Sequence, residues 1–156
     1  MDNEILLTEL EKTYGLIESS NIQLDNKASN MIMIIGAMLS LQASFLFPLT
    51  STYSSIICLI SLISYSIALI LFIKPLIISR FKLYPNLKSI KEYYEFDVSS
   101  EEYEFQVLGK YNDVIDYNMS RILSKGKYSY LGFYFMILGV VFTILTIMVM
   151  VVTAYV

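Results

Sequence analysis

Charged side chains are missing from three long stretches of the chain, and this pattern predicts the main elements. The uncharged runs cover residues 28–47, 51–73 and 128–156. A helix that crosses the hydrocarbon core of a bilayer needs roughly 20 apolar residues, so each run is long enough for one crossing. We therefore predict three transmembrane helices, one in each run.

The polar segment 1–27 also carries a helical pattern. Residues at alternating spacings of three and four form a seam, which is typical of a packed helix. The seam passes from this segment into the first run without a break in phase, through Leu7, Leu10, Tyr14, Ile17, Asn21, Leu24, Ala28, Met31 and Ile35. One continuous helix is therefore predicted to begin before the first span and to continue into it.

The segment 74–127 is polar, and its second half is predicted to be helical. The stretch "SSEEYEF" has the pattern of a helix start, with Ser99 as the N-cap and Glu102 closing a capping box. A second seam follows, made by Leu108, Tyr111, Ile115, Asn118 and Ile122. We expect this helix to join the third span, with Gly126 as its one interruption.

Composition supports the membrane interpretation and gives an orientation. Hydrophobic residues make up 56% of the 156 residues, against about 45–50% in soluble domains. All 11 Lys and Arg residues lie in the segments 1–27 and 74–127. Because basic segments stay in the cytoplasm, we expect an all-α membrane protein with three transmembrane helices and a cytoplasmic helical bundle. Its N-terminus would lie inside and its C-terminus outside.

The side chains needed for catalysis or metal binding are scarce. The sequence has no His, and Cys58 is its only cysteine, so no catalytic triad and no cysteine or histidine metal site can be built. A net charge of −3 gives no general basic surface for nucleic acid. We therefore expect a protein that is not an enzyme and that uses no cofactor.

Two of the runs carry a stripe of small or weakly polar residues. One stripe in the third run comprises Gly132, Gly139, Thr143, Thr146, Met150 and Thr153. The other, in the second run, comprises Ser51, Ser54, Cys58, Ser61, Tyr65 and Ala68. Either stripe could pack against another helix, with its hydroxyls bonded to their own backbone. Either could instead line a pore when copies assemble, and the third run is the first candidate, with Lys125 and Lys127 at its mouth.

Polar residues elsewhere on the predicted helices suggest contacts between helices. Gly36, Ser40 and Ser44 form a small-residue row that favours close helix packing. Gln42 is a lone amide inside the first run, and it could bridge subunits. Asn21 and Asn118 each occupy an apolar seam, where a buried Asn sets register and oligomer number. Surface exposure is the alternative for both Asn residues.

Basic and aromatic residues alternate after the second run. The group comprises Arg80, Lys82, Lys88 and Lys91 among Phe81, Tyr84, Tyr93 and Tyr94. One interpretation is attraction to lipid headgroups together with an interfacial aromatic belt. The other is a pocket for an anionic nucleotide, with its base stacked on a tyrosine.

Two stretches together resemble a known class of proteins. They are "LDNKASNMIMIIGAMLSLQASF" and "VIDYNMSRILSKGKYSYLGFYFMILGVVF". They are similar to the small membrane effectors of prokaryotic antiphage signalling, such as the Pycsar transmembrane effectors and the SLATT proteins. The resemblance lies in the pattern D-x-K-A at Asp25, Lys27 and Ala28, and in K-x-x-x-L at Lys127 and Leu131. The chain is equally similar to the related channel effectors of Hailong-type systems.

The resemblance implies a function and a set of partners. It implies a homo-oligomeric effector in the inner or cell membrane that passes ions or disrupts the bilayer. A nucleotide second messenger from a neighbouring cyclase or nucleotidyltransferase would control it. No nucleotide-binding module is recognisable in the chain, so its own helices would have to sense the messenger. The alternatives are a ligand-independent, holin-like or toxin pore and a membrane adaptor that docks a partner through its helical bundle.

Overall fold

The structure is a computed structural model of the chain. It describes the backbone of residues 3–46, 52–78, 81–82 and 100–155, and the side chains of residues 8–45, 52–78, 81–82 and 106–153. The Ser99 cap and most of the predicted basic and aromatic group lie outside the described residues.

The described residues form three α-helices, α1 (Asn3–Leu46), α2 (Thr52–Ile77) and α3 (Ser100–Tyr155). Each contains a stretch that is long and apolar enough to cross a membrane. The prediction of an all-helical chain with three candidate spans is therefore confirmed. Such a set of helices is compatible with a multi-pass membrane protein.

Two of the helices are much longer than a membrane span. The 44-residue α1 is unbroken, as the seam predicted, and it includes Gly15. The 56-residue α3 also continues through Gly126, so the predicted interruption there is wrong. A glycine inside a helix costs only about 0.5–1 kcal/mol relative to alanine, and one such residue does not end a helix of this length. Pro75 lies inside α2, two residues before its end at Ile77.

The chain divides into two compact units. The first unit comprises Met1–Gln23 and Ser79–Ser124, and the second comprises Leu24–Ile78 and Lys125–Val156. The core of the first unit contains Ile17, Tyr111 and Ile115. Leu10, Tyr14 and Ile122 pack against this core, so both predicted seams contribute to it.

The second unit holds the apolar runs, and its interior contains both apolar and polar side chains. Its apolar core comprises Ala28, Ile35, Tyr65, Ala68 and Phe72. Large apolar side chains are exposed on its outer face, among them Met33, Leu41, Leu59, Ile63, Ile70, Phe133, Ile137 and Ile144. Buried polar side chains in the same unit are Gln42, Ser54, Ser61, Ser64, Lys125, Thr143 and Thr146. An apolar exterior over polar interior contacts suits a lipid surrounding, where polar groups face protein.

Candidate functional site

One amide connects all three helices of the second unit. The Nε2 atom of Gln42 on α1 donates to the Ser61 hydroxyl on α2 at 3.1 Å and to the Thr143 hydroxyl on α3. Its Oε1 atom accepts from Cys58 Sγ at 3.1 Å. Tyr65 completes the group, because its hydroxyl lies 3.1 Å from that of Thr143. We call Gln42, Cys58, Ser61, Tyr65 and Thr143 the Gln42 cluster.

The hydrogen bonds of the Gln42 cluster form a consistent set. The hydroxyls of Ser61 and Thr143 both donate to the Gly139 carbonyl, at 3.0 and 2.8 Å. Each hydroxyl carries a single hydrogen, so both act as acceptors toward the two Gln42 amide hydrogens, and neither donates across the 3.0 Å between the Ser61 and Thr143 oxygens. The Tyr65 hydroxyl then donates to Thr143. Every polar side-chain atom of the cluster has a partner, which is what a buried polar group in an apolar medium requires.

Two glycines let α2 approach α3 closely. A Cβ atom at Gly139 would lie 2.6 Å from the ring of Tyr65, and one at Gly132 would lie 2.9 Å from the ring of Phe72. Real Cβ atoms do not come this close to a ring. Gly132 and Gly139 are therefore packing positions, and they fix the depth at which the two rings sit.

The two stripes that the sequence offered as rival pore walls meet inside the second unit. Gly139, Thr143 and Thr146 on α3 are buried, and so are Ser54, Cys58 and Ser61 on α2. Met150 is half-buried, and Thr153 is exposed and bonds only to its own helix. The stripe residues near Gln42 therefore contact one another. This is the arrangement expected if the stripes are packing surfaces between helices.

The small-residue row of the first run faces outward. Gly36, Ser40 and Ser44 are exposed. The Ser40 hydroxyl donates to the Gly36 carbonyl at 3.0 Å, and the Ser44 hydroxyl donates to the Ser40 carbonyl at 3.1 Å. These hydroxyls are satisfied by their own helix, so the row can lie against lipid or another helix.

An ion pair joins α1 to α3 in the second unit. Lys125 Nζ lies 2.7 Å from Asp25 Oδ1, with the Lys125 side chain fully buried and that of Asp25 28% exposed. The sequence placed Lys125 at a pore mouth as a selectivity charge. In the single chain this charge is buried and paired with Asp25, and its place at a pore mouth stays a prediction. Lys127 is exposed. Sequence spacing could not reveal the pair, whose members are 100 residues apart.

In the first unit, a buried asparagine bonds the backbone of Lys82, which follows α2 in the sequence. Asn118 Oδ1 accepts from the Lys82 backbone N–H at 3.1 Å, and Asn118 Nδ2 donates to the Lys82 carbonyl at 3.1 Å. The side chain of Asn118 is fully buried. Both of its polar groups are therefore used within one chain, whereas the sequence suggested a role between copies. Asn21, the other seam residue, is half-buried.

The predicted basic and aromatic group is described only in part. Lys82 is exposed, and its ammonium lies 4.4 Å from the centroid of the Tyr117 ring. Tyr117 had not been part of the predicted group. The remaining members, Arg80, Lys88, Lys91, Tyr93 and Tyr94, lie outside the described residues.

Comparison with known proteins gives no match: no protein-family model, no curated protein and no solved structure matches the chain. The resemblance to antiphage membrane effectors therefore stays a prediction from the sequence. Within the described ranges, no three His, Cys, Asp or Glu side chains come together in a way that could hold a metal ion.

Proposed function

We propose that this protein is a membrane effector whose copies assemble and, when activated, pass ions across the bilayer or perturb it. The observation that carries the proposal is the Gln42 cluster, in which each candidate span contributes a polar side chain to one buried group. Polar side chains are costly within a bilayer and tend to mark functional positions there.

The cluster suits a gate that is closed in the described state. Its hydroxyls and amide now bond one another, and water could replace these partners if the helices parted. Interhelical hydrogen bonds inside membranes contribute only about 0.6 kcal/mol each on average. A ligand or an assembly step commonly supplies about 1–3 kcal/mol of coupling free energy, which is the range needed to shift such an equilibrium.

The finer parts of the proposal rest on sequence patterns. The distribution of Lys and Arg supports an N-terminus in the cytoplasm and a cytoplasmic location for the first unit. The D-x-K-A and K-x-x-x-L patterns support a role in antiphage defence under control of a nucleotide messenger, in the inner or cell membrane.

Ion flux and oligomer mass test the proposal together. The full chain is purified in detergent, its mass is measured, and it is reconstituted into potassium-loaded vesicles. We expect an oligomer that passes little potassium while the gate is closed. Gln42→Leu removes the amide that ties α2 and α3 to α1, so it should raise efflux in the absence of any added ligand.

Ser66→Leu is the matched control. Ser66 also lies in α2, but it is exposed and bonds only to its own helix, at the Leu62 carbonyl. Its replacement should leave efflux unchanged. A monomeric mass together with silent vesicles for both the native chain and Gln42→Leu would reject the pore. Efflux that no nucleotide alters would support the ligand-independent pore instead.

A membrane adaptor is the second candidate, and the first unit favours it. That unit has its own core of Ile17, Tyr111 and Ile115, and such a unit could dock a partner while the second unit serves as an anchor. The flux experiment separates the two functions, because an anchor passes no ions. A monomer that inserts into vesicles without efflux is the adaptor's expected outcome.

A further inference from the structure

Three exposed lysines of the second unit lie at the ends of the uncharged runs. Lys27 directly precedes the first run, Lys74 directly follows the second, and Lys127 directly precedes the third. Each belongs to a different helix, and the side chain of each is exposed. We call Lys27, Lys74 and Lys127 the lysine collar.

Contacts between α1 and α3 place two members of the lysine collar at one level. Asp25 and Gln42 lie toward opposite ends of the first span, and they contact α3 residues that are 100 and 101 positions later in the sequence. Because this offset is nearly constant, the two helices run parallel, and residues with this offset lie side by side. Lys27 is therefore level with Lys127.

The end of α2 reaches the same level from the opposite direction. The Phe72 ring packs at the position of Gly132 on α3. Two residues further along α2, the Lys74 ammonium lies 4.9 Å from the centroid of the Tyr128 ring. Because Tyr128 directly follows Lys127, all three collar lysines lie within about one helical turn of a common level.

One plane therefore separates apolar from charged sequence on all three helices. A boundary of this kind is expected at a membrane surface, where lysine side chains extend toward the headgroups. Tyrosines on the apolar side of the boundary agree with this, since they form belts at membrane interfaces. Tyr130 and Tyr134 are 74% and 57% exposed.

We propose that the lysine collar is an interaction surface for anionic phospholipids and enriches them around this end of the second unit. Exposed lysines beside a span attract negatively charged headgroups, and they discriminate against zwitterionic headgroups, whose own cation balances the phosphate. Lys125 lies near the same level, but it is buried and paired with Asp25. The proposal rests on the second unit crossing a bilayer but needs no ion flux, so it can fail or hold separately from the pore.

A single tryptophan reports which lipid lies next to it, because the chain has no Trp of its own. Tyr130→Trp places this reporter three residues after Lys127, and Tyr53→Trp places it 21 residues before Lys74, at the other end of α2. Each full-length variant is reconstituted into vesicles of phosphatidylcholine and phosphatidylglycerol in equal parts. The acyl chains of one lipid at a time are brominated, and bromine quenches tryptophan fluorescence on contact. The ratio of the two quenching efficiencies measures the local lipid preference.

The reporter at Tyr130→Trp should prefer phosphatidylglycerol about fivefold, which is the effect of one lysine at an anionic surface. The reporter at Tyr53→Trp should show no preference. Lys74→Gln/Lys127→Gln in the Tyr130→Trp background should remove most of the preference, and adding Lys27→Gln should remove the remainder.

Lys12→Gln/Lys110→Gln is the charge-matched control. Both lysines belong to the first unit, and they precede Lys27 and Lys127 by 15 and 17 residues of the same helices, which is more than four turns. This variant loses the same net charge and should keep the preference. Lys74→Arg/Lys127→Arg retains both charges and should keep it too, which separates lipid attraction from a loss of folding.

Any of three results would overturn the proposal. In the first, both brominated lipids quench the Tyr130→Trp reporter equally, or neither quenches it. In the second, the Tyr53→Trp reporter shows the same preference, which would assign it to the net charge of the protein. In the third, the control variant loses as much preference as Lys74→Gln/Lys127→Gln.

Discussion

At the scale of single residues, one hydroxyl group can connect several helices of this chain. Thr143 links α3 to both other helices, because its hydroxyl contacts Gln42, Ser61 and Tyr65. A hydroxyl on an exposed helix face, such as that of Ser66, bonds only within its own helix. A hydroxyl therefore has different consequences on a buried and on an exposed helix face.

Thr143→Val should destabilise the second unit. Valine preserves the shape of threonine but removes the hydroxyl, so Gln42 and Tyr65 each lose a partner. We expect the free energy of unfolding to fall by about 1–2 kcal/mol, near the upper end of values for hydrogen bonds in membranes. Thr143→Ser keeps the hydroxyl and should lose clearly less. Unfolding in mixed micelles of mild detergent and dodecyl sulfate measures both, and equal loss in the two variants would contradict the role of the hydroxyl.

Lys125→Met should also destabilise the chain, because it leaves the carboxylate of Asp25 without its buried partner. Removing one partner of a buried pair costs up to about 3–5 kcal/mol. Asp25 is partly exposed, so we expect about 2 kcal/mol. The double variant Lys125→Met/Asp25→Leu removes both charges and should recover most of the loss in the same unfolding assay. If the double variant is as unstable as the single one, the ion pair is not the cause.

At the scale of elements, sequence patterns predicted helices well and predicted helix partners poorly. The seam through Tyr14 and Ile17 marked one face of α1, and that face packs in the core of the first unit. Hydropathy found the spans because length and lack of charge decide whether a helix can cross a bilayer. Both signals are local, and each can be read from one helix alone.

Which helix faces pack against each other cannot be read from the sequence of one helix. A stripe of Ser and Thr suits a packed interface and a pore wall equally, so the stripes of α2 and α3 looked like competitors when they were in fact facing surfaces. Gln42 donates hydrogen bonds to Ser61, which is 19 residues away in the sequence, and to Thr143, which is 101 residues away. Asn118 bonds the backbone of Lys82 rather than a side chain, and no residue pattern predicts which backbone group a side chain will bond.

The close approach of α2 and α3 gives a prediction at this scale. Gly139→Ala places a methyl group against the Tyr65 ring, and the ring is held at its hydroxyl by Thr143. Overpacking of this kind costs about 1–3 kcal/mol, so we expect a lower unfolding free energy and a less compact second unit.

Gly36→Ala is the control for this substitution. A Cβ atom at Gly36 meets nothing within 4 Å, so alanine there should leave stability unchanged or raise it by about 0.5–1 kcal/mol through its higher helix propensity. Equal stability of Gly139→Ala and the native chain would show that α2 and α3 are not held at this distance.

At the scale of the whole molecule, orientation in the membrane is the property that the basic residues predict. Single cysteines are introduced into a Cys58→Ser background and treated with an impermeant thiol reagent on intact cells. Labels at Thr50 and Val156 should react, and labels at Glu9 and Glu95 should react only after lysis. The reverse pattern would place the N-terminus outside and would remove the support for a cytoplasmic first unit.

The ion pair between Asp25 and Lys125 has a consequence for the order in which the chain is made. The two residues are 100 positions apart, so at about 5–20 residues per second a ribosome makes Lys125 roughly 5–20 s after Asp25. Ser61 is synthesised well before Thr143, so α1 and α2 can associate through Gln42 and Ser61 while α3 is still being synthesised. During that interval the Asp25 carboxylate has no lysine and the Gln42 amide has only part of its bonding. Synthesis of α3 supplies the missing partner of each, first Lys125 and then Thr143, so the last helix completes both polar contacts.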